Sequence, residues 1–261
     1  MELKGGFLMP AKNELKEILK EIKSAKDAEA IKPRVKKSLG RISPSDLALA
    51  EQELLEEGIT MQEIRQLCGP HIELMREGIG SGKPELDPHH PIQILMEEHE
   101  AILQNLKELE KVMGRVDRAK VYEQVERELK KLEEISHHLL EAESHHKREE
   151  EALFPEIEGA GVTGPPAVMR MEHEELRAKK RELRELIEGR DKIDYNLFAS
   201  KLCEVGGYLV KNLGDHIFKE NNILYPTALH AVAPEKWRTI KQRFDEIGYC
   251  CFTPASGEHH G

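Results

Sequence analysis

Aromatic side chains are scarce in this chain, at 5% of residues with a single tryptophan. Basic excess is absent too: 39 Lys and Arg face 49 Asp and Glu, for a formal charge of −10. That balance excludes nucleic acid as a main partner, because nothing offsets phosphate charge. No apolar run approaches the roughly 20 residues that a membrane-crossing helix needs, so no membrane partner is expected. The opening MELKGGFLMPAKNELKEILKE has too short an apolar stretch for a signal peptide. Four cysteines (Cys68, Cys203, Cys250 and Cys251) are too few and too scattered for a disulfide framework. Reduced thiols and a cytoplasmic location are therefore expected. A glycine-rich phosphate loop and a nucleophile triad are missing as well.

What the chain does have is charge, 34% of residues, in a mix rich in Glu, Lys, Leu and Ala. Such a mix favours long helices over sheets. Residues 1–82 read as a small helical domain of unknown function. NELKEILKEIKSA puts Leu15, Ile18, Leu19 and Ile22 on one face. SPSD at 43–46 and TMQE at 60–63 match the capping-box pattern, and Gly58 is placed to end the helix between them. The stretch GIGSGKPELDPHHP, residues 78–91, is dense in Gly and Pro and marks a linker.

Beyond it, residues 88–250 carry four long amphipathic patterns and a shorter one. The first begins near Pro91, suited to a first helical position, and shows Ile92, Leu95, Ile102, Leu106 and Leu109. The second spans about 119–157 with Val121, Val125, Leu132, Ile135, Leu139 and Ala142. The third carries Val168, Met169, Leu176, Leu183 and Ile187. The fourth is capped by Asp194 and carries Phe198, Leu202, Val205, Leu209 and Ile223. A segment from Pro234 adds Trp237, Ile240, Phe244 and Ile247. Four long helices with short joins predict an all-α fold, an antiparallel up-down-up-down four-helix bundle.

Histidines interrupt these stripes in a regular way. HHKREEEALFP begins at residue 145 and HIFKENNILYP at 216; both read His, a Glu four places on, then Leu, an aromatic residue and Pro. His145 and Glu149, and likewise His216 and Glu220, stand where the stripe calls for apolar residues. His99 and His173 do the same on the first and third helices, each inside a Glu-His-Glu triplet. The chain thus reads as two duplicated αα-hairpins, each supplying one side of a two-metal site. Residues four apart share a helix face, and two buried carboxylates need cations to remain ionised. Imidazole with carboxylate suits iron better than magnesium or calcium, with zinc or manganese as alternatives. A competing frame, His146 with Glu150, puts Glu143 in the stripe, so the frame His145 with Glu149 is preferred. His138, two turns before His145, reads as a boundary residue or a neighbour of the site. His89 and His90 read as helix-start or linker residues. CGPH at 68–71 lacks the partner pair of a zinc site and reads as packing.

At these residues the chain resembles the hemerythrin-like HHE cation-binding family, over about 88–232. The resemblance implies a non-haem di-iron centre bridged by carboxylates and an oxygen atom, with His99, His145, Glu149, His173, His216 and Glu220 as ligands. Oxygen-carrying hemerythrins have a further His where this chain has Arg177, and an Asp where it has Asn221. The set of four His and two Glu is instead similar to that of di-iron proteins that repair iron–sulfur clusters after nitrosative stress. SPSDLALAEQELLEEGI and EIRQLCGPHIELM resemble an uncharacterised helical domain that commonly precedes HHE domains. The expected function is binding of, or reaction with, O₂ or NO, in sensing or in oxidative and nitrosative stress protection. The alternative is an iron-responsive regulatory protein whose N-terminal domain addresses a protein partner. No substrate pocket is named by the residues, so enzymatic turnover is left open.

Overall fold

The structure, a computed structural model, describes residues 53–54, 57–60 and 86–253. The face Leu15 to Ile22, the capping box at 43–46, all but the first residue of that at 60–63, the CGPH stretch and the linker up to 85 lie outside the described residues. Gly58 does end its helix. It adopts φ +91, and Ile59 N–H reaches back to Leu54 O at 3.0 Å, the bond of a Schellman cap. The chain divides into two compact units. One gathers Leu86–Glu156, Met169–Ile217 and the residues from Ala233 onward; the other includes Ile157–Val168 and Phe218–Val232.

Among the described residues every regular element is helical. Helix α1 (Pro91–Val116) starts as its sequence demands. His90 is extended, its Nδ1 accepts the Ile92 N–H at 3.2 Å, and Pro91 takes the position where no N–H is needed. Helix α2 (Glu126–Glu141) begins later than the expected 119. A 3₁₀ turn, Tyr122–Gln124, precedes it, because the Tyr122 hydroxyl donates to Arg190 O at 2.9 Å and its ring lies edge-on to Tyr195. Val121 is left 44% exposed, so the apolar face starts at Val125.

The second pattern is also not one continuous α-helix. It tightens at Ala142, whose N–H faces both His138 O and Leu140 O, and resumes as α3 (Glu143–Arg148). A π turn, Glu149–Leu153, then leads into α4 (Phe154–Gly159). Helix α5 (Gly164–Glu188) and helix α6 (Tyr195–Lys219) follow. A second π turn, Glu220–Leu224, precedes α7 (Tyr225–Ala231), and α8 (Lys236–Ile247) ends at Gly248 with φ +91. Asp194 caps α6 as expected, accepting the Asn196 N–H at 2.8 Å.

Helices α1, α2, α5 and α6 form the antiparallel four-helix bundle. One apolar cluster joins Leu106 and Leu109 of α1, Leu132 and Ile135 of α2, Leu183 and Ile187 of α5, and Phe198 and Leu202 of α6. Each such side chain contributes about 1.5–3 kcal/mol by leaving water. The helices approach so closely that a Cβ at Gly206 would overlap Met113 Sδ. Polar residues replace this apolar filling at one end of the bundle. In the other unit the buried apolar residues among those described are Leu54, Ile157, Val162, Val168, Leu224, Tyr225, Ala228 and Val232.

Candidate metal centre

Both copies of the repeated phrase bend their helix in the same way, and the bend begins at the Glu. Phe154 N–H bonds to Glu149 O and Tyr225 N–H bonds to Glu220 O, each spanning five residues instead of four. The following residue is Pro both times. Pro155 and Pro226 have no N–H to offer the carbonyls of Glu151 and Asn222, and their rings would collide with those carbonyls in a regular helix. Widening the turn relieves both conflicts and adds one residue of rotation. Leu153 and Leu224 are thereby carried inward together with the aromatic residues after them.

Four imidazoles meet as two pairs. His99 Nε2 lies 3.0 Å from His145 Nε2, and His173 Nε2 lies 3.0 Å from His216 Nε2. Glu149 Oε2 stands between the pairs, 3.5 Å from His145 Nε2 and 3.5 Å from His173 Nε2. Five of the six expected residues are thus together within one compact unit. Glu220, the sixth, is buried one turn after His216, at the start of its π turn.

The far side of each ring is held by a carboxylate. His145 Nδ1 donates to Glu98 Oε2 at 2.7 Å, His216 Nδ1 to Glu172 Oε2 at 2.8 Å, and His173 Nδ1 to Glu150 Oε1 at 2.6 Å. An ionised carboxylate only accepts, so the proton sits on Nδ1 and each Nε2 of a neutral ring presents a lone pair. His173 and His216 therefore point two lone pairs at each other across 3.0 Å. Left alone that arrangement is repulsive; a cation bound by both nitrogens resolves it. Carboxylate–imidazole–metal chains of this kind set ring orientation and ligand basicity. The donor set accordingly fits a divalent transition metal.

Glu98 is itself buried with Arg148, both at 0% exposure. Burial would raise its carboxyl, but the hydrogen bond from His145, the charge of Arg148 and the Thr253 hydroxyl outweigh this and hold it at about 2. Arg148 Nη2 reaches both Glu98 oxygens at 2.7 Å, and the guanidinium lies over the rings of Phe244 and Tyr249. A family model, the hemerythrin HHE cation binding domain, matches residues 90–228.

The chain belongs to this family. Its N-terminal part, residues 15–81, matches a family of unknown function, DUF438, as the resemblance of that region implied. No curated protein matches the chain.

Several secondary expectations resolve as well. His138 is a boundary residue: its Nδ1 lies 3.2 Å from Asn105 Oδ1 and its ring touches Phe252. His90 is a helix cap. Cys203, Cys250 and Cys251 are free thiols, and burial, with the Glu98 charge, pushes the Cys250 thiol up. Arg177 faces the acidic ring around the site, 2.5 Å from Glu143 Oε1 and 2.9 Å from Glu150 Oε1.

Two groups were not singled out from sequence. The orienting carboxylates Glu98, Glu172 and Glu150 look like any surface Glu of a charged helix; only the duplicated Glu-His-Glu triplet carried a signal for the first two. His146 was set aside with the competing frame, yet it is 2% exposed and stacks on His173, with centroids 3.9 Å apart at 11°. Its Nδ1 makes no hydrogen bond; Glu143 Oε2 is 3.6 Å away.

Proposed function

We propose that the HHE domain holds two iron ions through His99, His145, Glu149, His173, His216 and Glu220, and that the centre binds or reacts with O₂ or NO in sensing or stress protection. The observation that carries this reading is the arrangement of the two Nε2 pairs, with Glu149 within 3.5 Å of a nitrogen from each. Glu220 repeats Glu149 in the second copy of the phrase, four residues after its histidine, and supplies the matching carboxylate. If both carboxylates bridge, the six residues give about eight donor atoms for the roughly twelve positions of two six-coordinate ions. Positions therefore remain for a small exogenous ligand.

Bound iron would supply reversible electron transfer to such a ligand. The protein's part is to hold neutral imidazoles in place, keep their protons on Nδ1, and exclude bulk water with a buried apolar surround. Leu153 and Phe154, swung inward by the π turn, help to close the site. No helix among the described residues is long and apolar enough to cross a membrane, and the free cysteines agree with a reducing, cytoplasmic setting.

The test is the optical spectrum of anaerobic Fe(II)-loaded protein as O₂ is admitted and removed, repeated with NO. An oxygen charge-transfer band that appears and reverses means a sensor or carrier. Irreversible conversion to a ferric spectrum means redox or repair chemistry. Loaded protein whose spectrum responds to neither gas overturns the gas-binding reading. A second reading is favoured by the DUF438 region at 15–81: metal occupancy in the HHE domain would control what the N-terminal region binds. It predicts that removing metal changes partner capture while gas exposure does not.

A further inference from the structure

We propose that the segment 248–253, beyond the end of the matched family region at 228, is a working part of the metal centre, with Thr253 a positioning residue that acts through Glu98 on His145. This rests on the two-metal reading above and extends it to residues outside the bundle.

Helix α8 places the segment. Ile240 and Phe244 are buried, and the helix packs on α1, α3 and the first π turn. Gly248, with φ +91, lets the chain turn where a residue with a side chain would be strained. The Thr253 N–H then closes a turn on Cys250 O at 3.0 Å. Side chains of the segment meet the residues behind His145. The Tyr249 ring centre lies 4.8 Å from the Arg148 guanidinium carbon. Cys250 Sγ is 3.0 Å from Ser144 Oγ and 3.7 Å from Arg148 Nη2. The Thr253 hydroxyl donates to Glu98 Oε1.

Which oxygen each donor takes is what gives Thr253 its role. Glu98 Oε2 accepts from His145 Nδ1 at 2.7 Å, and Oε1 accepts from Thr253. Arg148 Nη2 stands 2.7 Å from both oxygens. A donor equidistant from the two neutralises the charge without choosing between them. The terminal torsion of a glutamate is broad, so its setting falls to the donors that differ, His145 on one oxygen and Thr253 on the other. Without the hydroxyl, the carboxylate is left to be oriented by the imidazole it should itself orient. Cover alone does not call for this hydroxyl: Cys250 is buried, and Glu98 and Arg148 are at 0% exposure.

The contacts from Thr253 through Glu98 end on the nitrogen pair of His99 and His145, and not on that of His173 and His216. The effect is therefore confined to one of the two ions. A carboxylate held on Nδ1 raises the basicity of Nε2. The link is reciprocal: an ion on Nε2 makes Nδ1–H a stronger donor and tightens Glu98 together with the segment seated on it.

Thr253→Val tests this, because it keeps the shape of the side chain and removes the hydroxyl, while Thr253→Ser restores it. The full-length chain is titrated anaerobically with Co(II) against a competing chelator, and the ligand-field absorption is recorded. Wild type is expected to take up two equivalents. Thr253→Val should bind one of them about tenfold more weakly and shift its bands, and Thr253→Ser should recover both affinity and spectrum. Wild-type affinity and bands in Thr253→Val overturn the role and leave the two-metal reading intact. Equal weakening of both equivalents, or a Thr253→Ser protein that behaves like Thr253→Val, overturns it too. Fewer than two equivalents in wild type overturn the two-metal reading, and with it the assignment of Thr253 to one of two ions. Should the variant not fold, alkylation of wild type by iodoacetamide, read by peptide mass spectrometry, decides. Loading with Co(II) should slow the reaction of the buried Cys250 and leave that of the exposed Cys251 unchanged; equal Cys250 rates with and without metal overturn the proposal.

Discussion

In the first hairpin, the carboxylate behind the imidazole, Glu98, is sealed by Arg148, by the Thr253 hydroxyl and by the Phe244 and Tyr249 rings over the guanidinium. In the second, Glu172 makes the equivalent hydrogen bond to His216 from a more exposed position. The second hairpin differs again by meeting His146, stacked on His173, and by the Glu150 carboxylate on His173 Nδ1. What the two halves share is the imidazole geometry, with the same 3.0 Å pair, the same Glu at the head of a π turn and the same Pro after it. What differs is the surround of each half.

The largest effect is expected where the halves are alike. His145→Ala and His216→Ala should each sharply lower the iron content of purified protein, measured by elemental analysis. Wild-type iron in both would remove the imidazoles from the site. Next comes the feature that only the first half has. Arg148→Met leaves the buried Glu98 charge without its guanidinium partner and should lower unfolding stability by about 3–5 kcal/mol in denaturant. A loss below about 1 kcal/mol would mean the pair is incidental.

Acid probes the same group. Glu98 is held at about 2, below its ordinary 4.5, after burial is outweighed by His145, Arg148 and Thr253. A depressed carboxyl contributes stability that is present above the unfolded pKa and lost as pH falls through the folded one. Metal-free protein should therefore lose about 3 kcal/mol between pH 4.5 and 2 from this group. Glu98→Gln should flatten that part of the stability profile, while Glu172→Gln should leave it in place. The smallest effect compares the two orienting carboxylates in metal affinity. Glu98→Gln and Glu172→Gln should each weaken binding about 10- to 100-fold, read by chelator competition. Loss in only one would show that the halves do not share this device.

Much of the fold was legible because the bundle's core obeys a simple period. Leu132, Ile135 and Leu139 fall inside as their spacing requires, and His99, His145, His173 and His216 stand out because they interrupt such stripes. Proline at the helix start and Asp194 before α6 marked ends correctly. Period-based reading failed where the backbone changes its own period. Val121 belongs to a 3₁₀ turn pinned by Tyr122, so its place in the stripe did not bury it. Beyond Glu149 and Glu220 the π turns advance the phase, so Leu224 is buried while Ile223 is only half-buried. Within the same stretch both His145 and His146 are buried, which one regular helical period does not produce. The orienting carboxylates were hidden for a different reason: their role depends on contacts across helices, which spacing along one helix does not encode.

The central claim is that a duplicated hairpin closes around two metal ions. Anaerobic titration of metal-free, full-length protein with Fe(II), followed by desalting and iron analysis, tests it most directly. Saturation at two irons per chain is the predicted result. Saturation at one, or no retained iron, would contradict it.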